Sequence, residues 1–105
     1  MSVKAEDVVV LDLRRISYSF DFFVLVSGSS SIRIKTISEE VEEKLSEQGE
    51  KPGHREGNGQ SGWVLLDYGM VVFHIFSPEA REFYRLEKLW ADAPHVPIGN
   101  HRREA

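Results

Sequence analysis

Acid/base chemistry is the first possibility that the residue types of this sequence raise. Asp12, Asp21 and Asp67 each adjoin an apolar run, and carboxylates at neighbouring strand ends can converge into an acid/base pair. Polar side chains at strand ends more commonly satisfy backbone donors, so a structural role is the alternative for all three. His74 lies inside an apolar run, where it is either a hydrogen-bonded sheet histidine or a functional one. We identify no catalytic residue from this pattern.

Metal and cofactor sites are not indicated by the spacing of the other polar residues. The four histidines, at positions 54, 74, 95 and 101, lack the spacing of a helical metal pair, and the chain contains no cysteine. Neither a GxGxxG fingerprint nor a Walker phosphate loop is present. We therefore predict a protein without a metal ion or an organic cofactor, and without disulfides or thiol chemistry.

Nucleotidyl transfer is the one enzymatic activity that a local pattern suggests. Ser27-Gly28-Ser29 stands between a predicted strand and a predicted helix, and it resembles the Gly-Ser turn of nucleotidyltransferase folds. Those enzymes also need closely spaced carboxylates that hold two metal ions roughly 4 Å apart. The residues after this turn read IRIKTI and continue as a surface helix, with no Asp-x-Asp on a strand. The pattern therefore favours a strand-to-helix turn with a helix cap.

Composition and charge limit the classes of protein and partner. A chain of 105 residues with 41% hydrophobic and 29% charged residues is typical of a single soluble globular domain. No apolar run approaches the roughly 20 residues of a membrane span, and the N-terminus lacks the layout of a signal peptide. We predict a cytoplasmic protein with no membrane contact. The formal net charge of −4 disfavours direct DNA binding and favours a basic protein partner.

A predicted β-hairpin is the element around which the other residues must be arranged. Two apolar runs, 63–66 and 70–76, are separated by Asp67-Tyr68-Gly69, in which Asp and Gly supply the residues that a tight turn requires. Strand alternation places residues 71, 73 and 75 on one face and 72, 74 and 76 on the other, and both sets are largely apolar. Such a strand is normally covered on both faces, by helices or by a partner protein. Composition alone leaves open whether Trp63, at the mouth of the hairpin, is core or contact.

The rest of the chain predicts further strands, two helices and a tail. Apolar runs at 8–11 and 20–26 indicate strands, and residues 55–56 indicate a short edge strand. A serine within 27–30 is the predicted cap of a helix over 31–48, which ends before Gly49. Ser77-Pro78 begins a second amphipathic helix, continuous or broken in two. Its predicted apolar stripe comprises Phe83, Tyr84, Leu86, Leu89 and Trp90. This order predicts an α/β domain over 1–93, with a mixed β-sheet and flanking helices, and a flexible C-terminal tail over 94–105.

Several segments, taken in order, resemble the ribosome silencing factor family, also called Iojap. They are Asp12-Leu13, the run 21–30 that ends its strand in Ser-Gly, Glu56-Gly57, W-x-x-x-D-x-G at 63–69, a valine-rich strand with histidine at 72–76, and R-x-F-Y-x-L-E-x-L-W at 81–90. Each segment alone is a weak signal, whereas the ordered set is specific. Members usually carry an additional helix before the first strand, so here either that helix is absent or the start lies further upstream.

The resemblance implies both a fold and a function. The fold is an α/β domain of nucleotidyltransferase-like topology without catalytic residues. The function is binding to the large ribosomal subunit through the ribosomal protein numbered fourteen, at the face where the small subunit docks, which lowers translation when nutrients are scarce. Matching positions imply Trp63 as the anchor of partner binding. The implied polar rim around it comprises Glu56, Asp67, His74, Arg81 and Tyr84.

We therefore expect a non-enzymatic ribosome anti-association factor that acts by steric exclusion. Two alternatives remain open at the level of sequence. The first is a nucleotidyltransferase-related enzyme, suggested by the Gly-Ser turn. The second is a homodimeric interaction scaffold, in which the apolar face of the hairpin covers itself in a second copy of the chain.

Overall fold

A five-stranded mixed sheet with the strand order β1-β2-β5-β4-β3 is the centre of the protein. The computed structural model describes residues 6–97. Strands β2 and β5 are parallel, and every other neighbouring pair is antiparallel. The strands are β1 (Glu6–Asp12), β2 (Phe22–Ser27), β3 (His54–Asn58), β4 (Trp63–Asp67) and β5 (Val71–Phe76), and the helices are α1 (Ser31–Ser46), α2 (Pro78–Tyr84) and α3 (Leu86–Leu89). Within this part of the chain, no helix is long and apolar enough to cross a membrane.

The predicted hairpin forms at β4 and β5, with the turn residues in the expected roles. The Asp67 carboxylate accepts a hydrogen bond from the Gly69 backbone N–H at 2.8 Å. Gly69 has a φ of 92°, a left-handed conformation that glycine adopts without steric cost. The Tyr68 N–H donates to the Val71 carbonyl at 2.9 Å and closes the turn. The turn therefore fixes the register in which β4 and β5 pair.

One face of the central strands is covered by α1. Ile34 and Ile37 of this helix are buried together with Val64, Leu66 and Ile75 of the sheet. The spacing of the two isoleucines places them on one side of the helix, as the sequence predicted. Burial of each such side chain contributes about 1.5–3 kcal/mol to stability.

The opposite face is covered by the C-terminal part of the chain. Val72 and Phe76 of β5 are buried beneath Leu86 and Trp90, which pack against the same cluster as the buried Ala93. Both faces of β5 are therefore covered by this chain itself, and its burial needs no second copy.

The second predicted helix is broken at Arg85, and the break overturns part of the predicted apolar stripe. Arg85 adopts a left-handed conformation with a φ of 51° and separates α2 from α3. Because the break rotates α3 relative to α2, a stripe read at continuous helical spacing fails. Leu86 and Trp90 pack on the core, whereas Phe83, Tyr84 and Leu89 are exposed, so the prediction that these three belong to the apolar stripe is wrong.

Backbone pairing continues past residue 93, where the predicted tail begins. The Asp12 N–H donates to the Pro94 carbonyl at 2.8 Å, and the Val96 N–H donates to the Val10 carbonyl at 2.8 Å. Residues 94–96 therefore lie along the outer edge of β1. Residues 98–105 lie outside the described residues, so a flexible tail there stays a prediction.

Replacement of the α1 cap should lower stability measurably. The Ser30 hydroxyl accepts a hydrogen bond from the Arg33 N–H at 3.1 Å. We expect Ser30→Ala to reduce the free energy of unfolding by about 1 kcal/mol, measured by urea unfolding, because this N–H loses its acceptor. Ser29→Ala is the matched control, since Ser29 is exposed and precedes the cap, and its change should stay within about 0.5 kcal/mol. Equal losses in the two variants would contradict the capping role.

Candidate functional site

The face that α2 and α3 cover is open near β3 and β4. All five residues of β3 are exposed, and Trp63 and Leu65 of β4 are only half-buried. Leu65 lies opposite Glu56 in the β3–β4 ladder, on this same face. A hollow of about 270 Å³ results, which we call the Trp63 hollow. It is lined by Glu56, Gly57, Ser61, Trp63, Leu65 and Tyr84.

Trp63 lies at the boundary between the core and solvent. Its ring centroid is 4.3 Å from that of Tyr84, 5.6 Å from that of Phe76 and 5.8 Å from that of His74. Its Nε1 lies 3.2 Å from Nδ1 of His74, at hydrogen-bonding distance. The residue therefore packs on the core with one side and borders the Trp63 hollow with the other, so the sequence alternatives of core and contact are not exclusive.

Three aromatic rings continue outward from this hollow. We call Trp63, Tyr84 and Phe83 the aromatic row, because the Phe83 and Tyr84 centroids lie 5.0 Å apart with edge-to-face packing. Tyr84 is 49% exposed and Phe83 is 78% exposed. Sequence reasoning missed Phe83 as a candidate contact. A signal existed, since neighbouring residues of a helix point about 100° apart, which places at least one of two adjacent large aromatics away from the centre of the buried face.

His74 lies behind Trp63 and is only 5% exposed. Its ring packs edge-on against Phe23, with the centroids 4.7 Å apart. Burial lowers the pKa of His74 from 6.5 to about 4, so the imidazole is neutral at physiological pH. The indole N–H can only donate, so Nδ1 accepts and the ring proton is on Nε2. Within residues 6–97, this buried Nε2 has no hydrogen-bond partner.

Arg81 lies on the inner side of α2, away from the Trp63 hollow. Its guanidinium bonds both carboxylate oxygens of Glu87, at 3.0 and 3.1 Å, and also the Ser27 hydroxyl and the Asp7 carbonyl, at 2.8 and 2.7 Å. The hydrogen bond from Arg81 holds the pKa of Glu87 below its usual value. With a side chain only 11% exposed, Arg81 ties α2 and α3 to the first two strands. It thereby positions the helix that carries Phe83 and Tyr84.

The remaining predicted site residues lie at the two ends of the open face. The Glu56 carboxylate is exposed and lies 2.7 Å from the His54 ring. Asp67 lies at the opposite end of β4 from Trp63, where its carboxylate holds the hairpin turn. The structure thus brings Glu56, Trp63, His74 and Tyr84 together and leaves Asp67 and Arg81 apart from them.

The Gly-Ser turn has a packing role in this fold. A Cβ at Gly28 would lie 2.9 Å from Cγ1 of Ile34 and 3.1 Å from its backbone nitrogen, so glycine is needed for α1 to approach the sheet. Among residues 6–97, no three His, Asp or Glu side chains converge as metal ligands. Two side chains of this turn have structural roles: the Ser27 hydroxyl accepts a hydrogen bond from Arg81, and the Ser30 hydroxyl caps α1.

Comparison with known proteins identifies the family. A family model described as "Ribosomal silencing factor during starvation" matches residues 1–105. The chain belongs to this family. A ribosomal silencing factor from Halalkalibacterium halodurans is 43% identical over 95 residues, which cover 90% of this chain and 81% of the relative. The family prediction made from the ordered motifs is confirmed.

Solved structures similar to this chain share its fold. A crystal structure of a Bacillus halodurans protein has a TM-score of 0.78 and 41% identity, and the match covers 90% of this chain and 86% of that one. A Chromobacterium violaceum protein has a TM-score of 0.80 and 32% identity, and the match covers 91% of this chain and 81% of that one. The predicted α/β class with a mixed sheet and flanking helices is confirmed. The nucleotidyltransferase-like topology is compatible with this sheet and stays a prediction.

The pH dependence of stability should reflect the buried imidazole. Because the pKa of His74 falls from 6.5 to about 4 on folding, the unfolded chain binds a proton between these values that the folded protein does not. This group therefore leaves stability unaffected above pH 6.5 and reduces it as the pH falls towards 4, by on the order of 3 kcal/mol. Urea unfolding of the wild-type protein and of His74→Asn across this interval measures the difference. The wild-type protein should lose more stability than the variant, and parallel pH profiles would argue against a buried neutral histidine.

Proposed function

We propose that this protein is a ribosome anti-association factor that binds the large ribosomal subunit, blocks joining of the small subunit and represses translation when nutrients are limited. Membership of the ribosomal silencing factor family supports the proposal. The observation that carries it is the aromatic row beside the Trp63 hollow, because this surface has the composition of a docking site. The proposed contact is ribosomal protein number fourteen, as the family resemblance implies.

The aromatic row supplies the anchors of the proposed interface. Adjoining aromatic side chains on a surface mark docking sites more often than isolated ones do. Trp63 is held by ring packing and by a hydrogen bond, so little side-chain freedom is lost when a partner covers it. Phe83 and Tyr84 extend the contact area away from the sheet. Aromatic residues around a hollow are the usual composition of an interface hot spot.

Charge favours a basic protein as the partner over nucleic acid. The Glu56 carboxylate is exposed and borders the Trp63 hollow, and the whole chain has a formal net charge of −4. A cationic protein surface is attracted to this rim, whereas the phosphates of ribosomal RNA are repelled. The proposal therefore assigns the contact to a ribosomal protein.

The proposed mechanism needs occupancy of a surface and no reacting group. A factor bound at the face where the small subunit docks excludes that subunit sterically. The degree of inhibition then follows from the concentration of the factor relative to its dissociation constant. Trp63, Glu56, Tyr84 and Phe83 are the proposed contacts, Arg81 supports them from behind, and Asp67 stays a predicted rim residue.

Substitutions in the aromatic row should weaken binding to isolated large subunits. We expect Phe83→Ala and Tyr84→Ala each to raise the dissociation constant about 5- to 30-fold, because loss of a hot-spot side chain costs about 1–2 kcal/mol of binding. Sedimentation of the protein with large subunits over a concentration series gives the constant. Tyr18→Ala is the matched control, since Tyr18 is a fully exposed aromatic in the connection between β1 and β2. Unchanged binding by both row variants, or equal loss by the control, would refute the assigned surface.

The effect on subunit joining tests the mechanism separately. We expect the wild-type protein to reduce the fraction of assembled ribosomes when large and small subunits are mixed in magnesium, and Tyr84→Ala to do so much less at equal concentration. Light scattering and sucrose gradients measure this fraction. Glu56→Lys should behave like Tyr84→Ala, because it places a cation at the rim, whereas Glu47→Lys just beyond α1 should behave like the wild type. If the protein binds large subunits but the fraction of assembled ribosomes does not fall, steric exclusion is refuted.

A further inference from the structure

We infer that His74 is the positioning residue of the docking surface: its Nδ1 holds the Trp63 indole in the orientation that the partner meets, without touching the partner itself. This inference rests on the proposed function, since it assigns a role within the same surface. Two geometric observations carry it. The Trp63 Nε1 lies 3.2 Å from His74 Nδ1, and His74 is 5% exposed behind the half-buried indole.

The hydrogen bond defines one orientation of each ring. The indole N–H is a donor only, so His74 must present an unprotonated Nδ1. The pKa of His74, lowered by burial alone, keeps it in that state at physiological pH. The rings that pack around it are those of Phe23, Phe76 and Trp63, from three neighbouring strands, and none of them carries a charge. Nothing in this ring cluster therefore competes with the indole for Nδ1.

The backbone around His74 makes it a rigid support. It lies in the middle strand β5, paired with Leu25 of β2 on one side and with Leu65 of β4 on the other. Trp63 lies diagonally across the β4–β5 ladder from it, since Trp63 itself pairs with Phe76. A central position in the sheet holds the acceptor still, so the hydrogen bond restrains the indole, which lies at the margin of the cluster.

The unpaired nitrogen of His74 also points to a role at the site. A buried donor without a partner reduces stability, and the Nε2 of His74 has none among residues 6–97. An apolar residue of similar size would remove this cost while filling the same space. Unlike an apolar residue, histidine provides a hydrogen-bond acceptor at Nδ1, and the Trp63 indole N–H donates to it.

The first experiment uses the free protein. In ¹⁵N-labelled wild-type protein, the Trp63 indole N–H should show slow exchange with solvent and a downfield ¹H shift, and the Trp90 indole is the internal reference. Both features should be lost in His74→Leu and largely kept in His74→Asn, whose side-chain oxygen lies near the position of Nδ1. In the wild type, the Trp63 signal should hold as the pH is lowered to 5 and shift near pH 4, where His74 becomes protonated. An indole signal that His74→Leu leaves unchanged would overturn the inference.

The second experiment measures binding to large subunits by sedimentation. We expect His74→Leu to raise the dissociation constant about three- to tenfold, as for loss of one hydrogen bond, and His74→Asn to restore most of the affinity. In a Trp63→Phe background, which lacks the indole N–H, His74→Leu should cause no further loss. Melting temperatures of all variants show that they are folded at the temperature of the assay. Should His74→Leu fail to fold, Trp63→Phe, His74→Asn and the acid titration of the wild type still test the hydrogen bond.

The outcomes separate this inference from the function on which it rests. Wild-type affinity in His74→Leu, together with a lost indole hydrogen bond, would overturn positioning and leave the docking surface intact. If His74→Leu lowers the affinity equally in the wild-type and Trp63→Phe backgrounds, the positioning role is also overturned. Failure of the wild-type protein to bind large subunits would overturn both.

Discussion

The burial of β5 on both faces is the constraint on which the rest of the structure depends. Its alternate residues are largely apolar in each direction, so the strand is stable only between two layers. Helix α1 supplies one layer across the sheet. The C-terminal helices supply the other, but they leave β3 exposed and β4 only partly covered, where Tyr84 of α2 packs on Trp63. The candidate site is the uncovered remainder of a face that is otherwise core, which explains why its centre is aromatic and its margin is polar.

The hairpin, α1 and both helix caps could be predicted from sequence because each is specified by neighbouring residues. Asp67 and Gly69 define a turn locally, and Ser30 and Ser77 cap the helices that follow them. A break in the second helix was one of the two sequence predictions, but its position at Arg85 could not be predicted, because a non-glycine residue in a left-handed conformation gives no compositional signal. The pairing of residues 94–96 with β1 was missed for a related reason, since a short segment that begins with a proline forms a ladder only when an edge is already present.

The residues that form the site could be predicted from sequence better than their arrangement could. Ordered motifs indicated Trp63, Glu56 and Tyr84, and the structure brings these three to one hollow. The same motifs gave no means of separating residues that face solvent from those that support them. His74 and Arg81 have the polar side chains expected of a rim, yet His74 is buried behind the indole and Arg81 braces α2 through partners on three other elements, α3, β1 and β2. The polarity of a side chain predicts that it forms hydrogen bonds, and only the tertiary structure determines which groups are its partners.

The two margins of the sheet are protected in different ways. Residues 94–96 occupy the outer backbone of β1 from Val10 to Asp12, and β3 carries exposed charged side chains, of which Arg55 is anchored to Glu42 of α1 at 3.1 Å. A covered strand and a charged strand both discourage the edge-to-edge joining by which sheets aggregate. Over these stretches, extension of the sheet by another chain is disfavoured. Recognition by side chains is favoured instead, and side chains can discriminate between partners in a way that backbone pairing cannot.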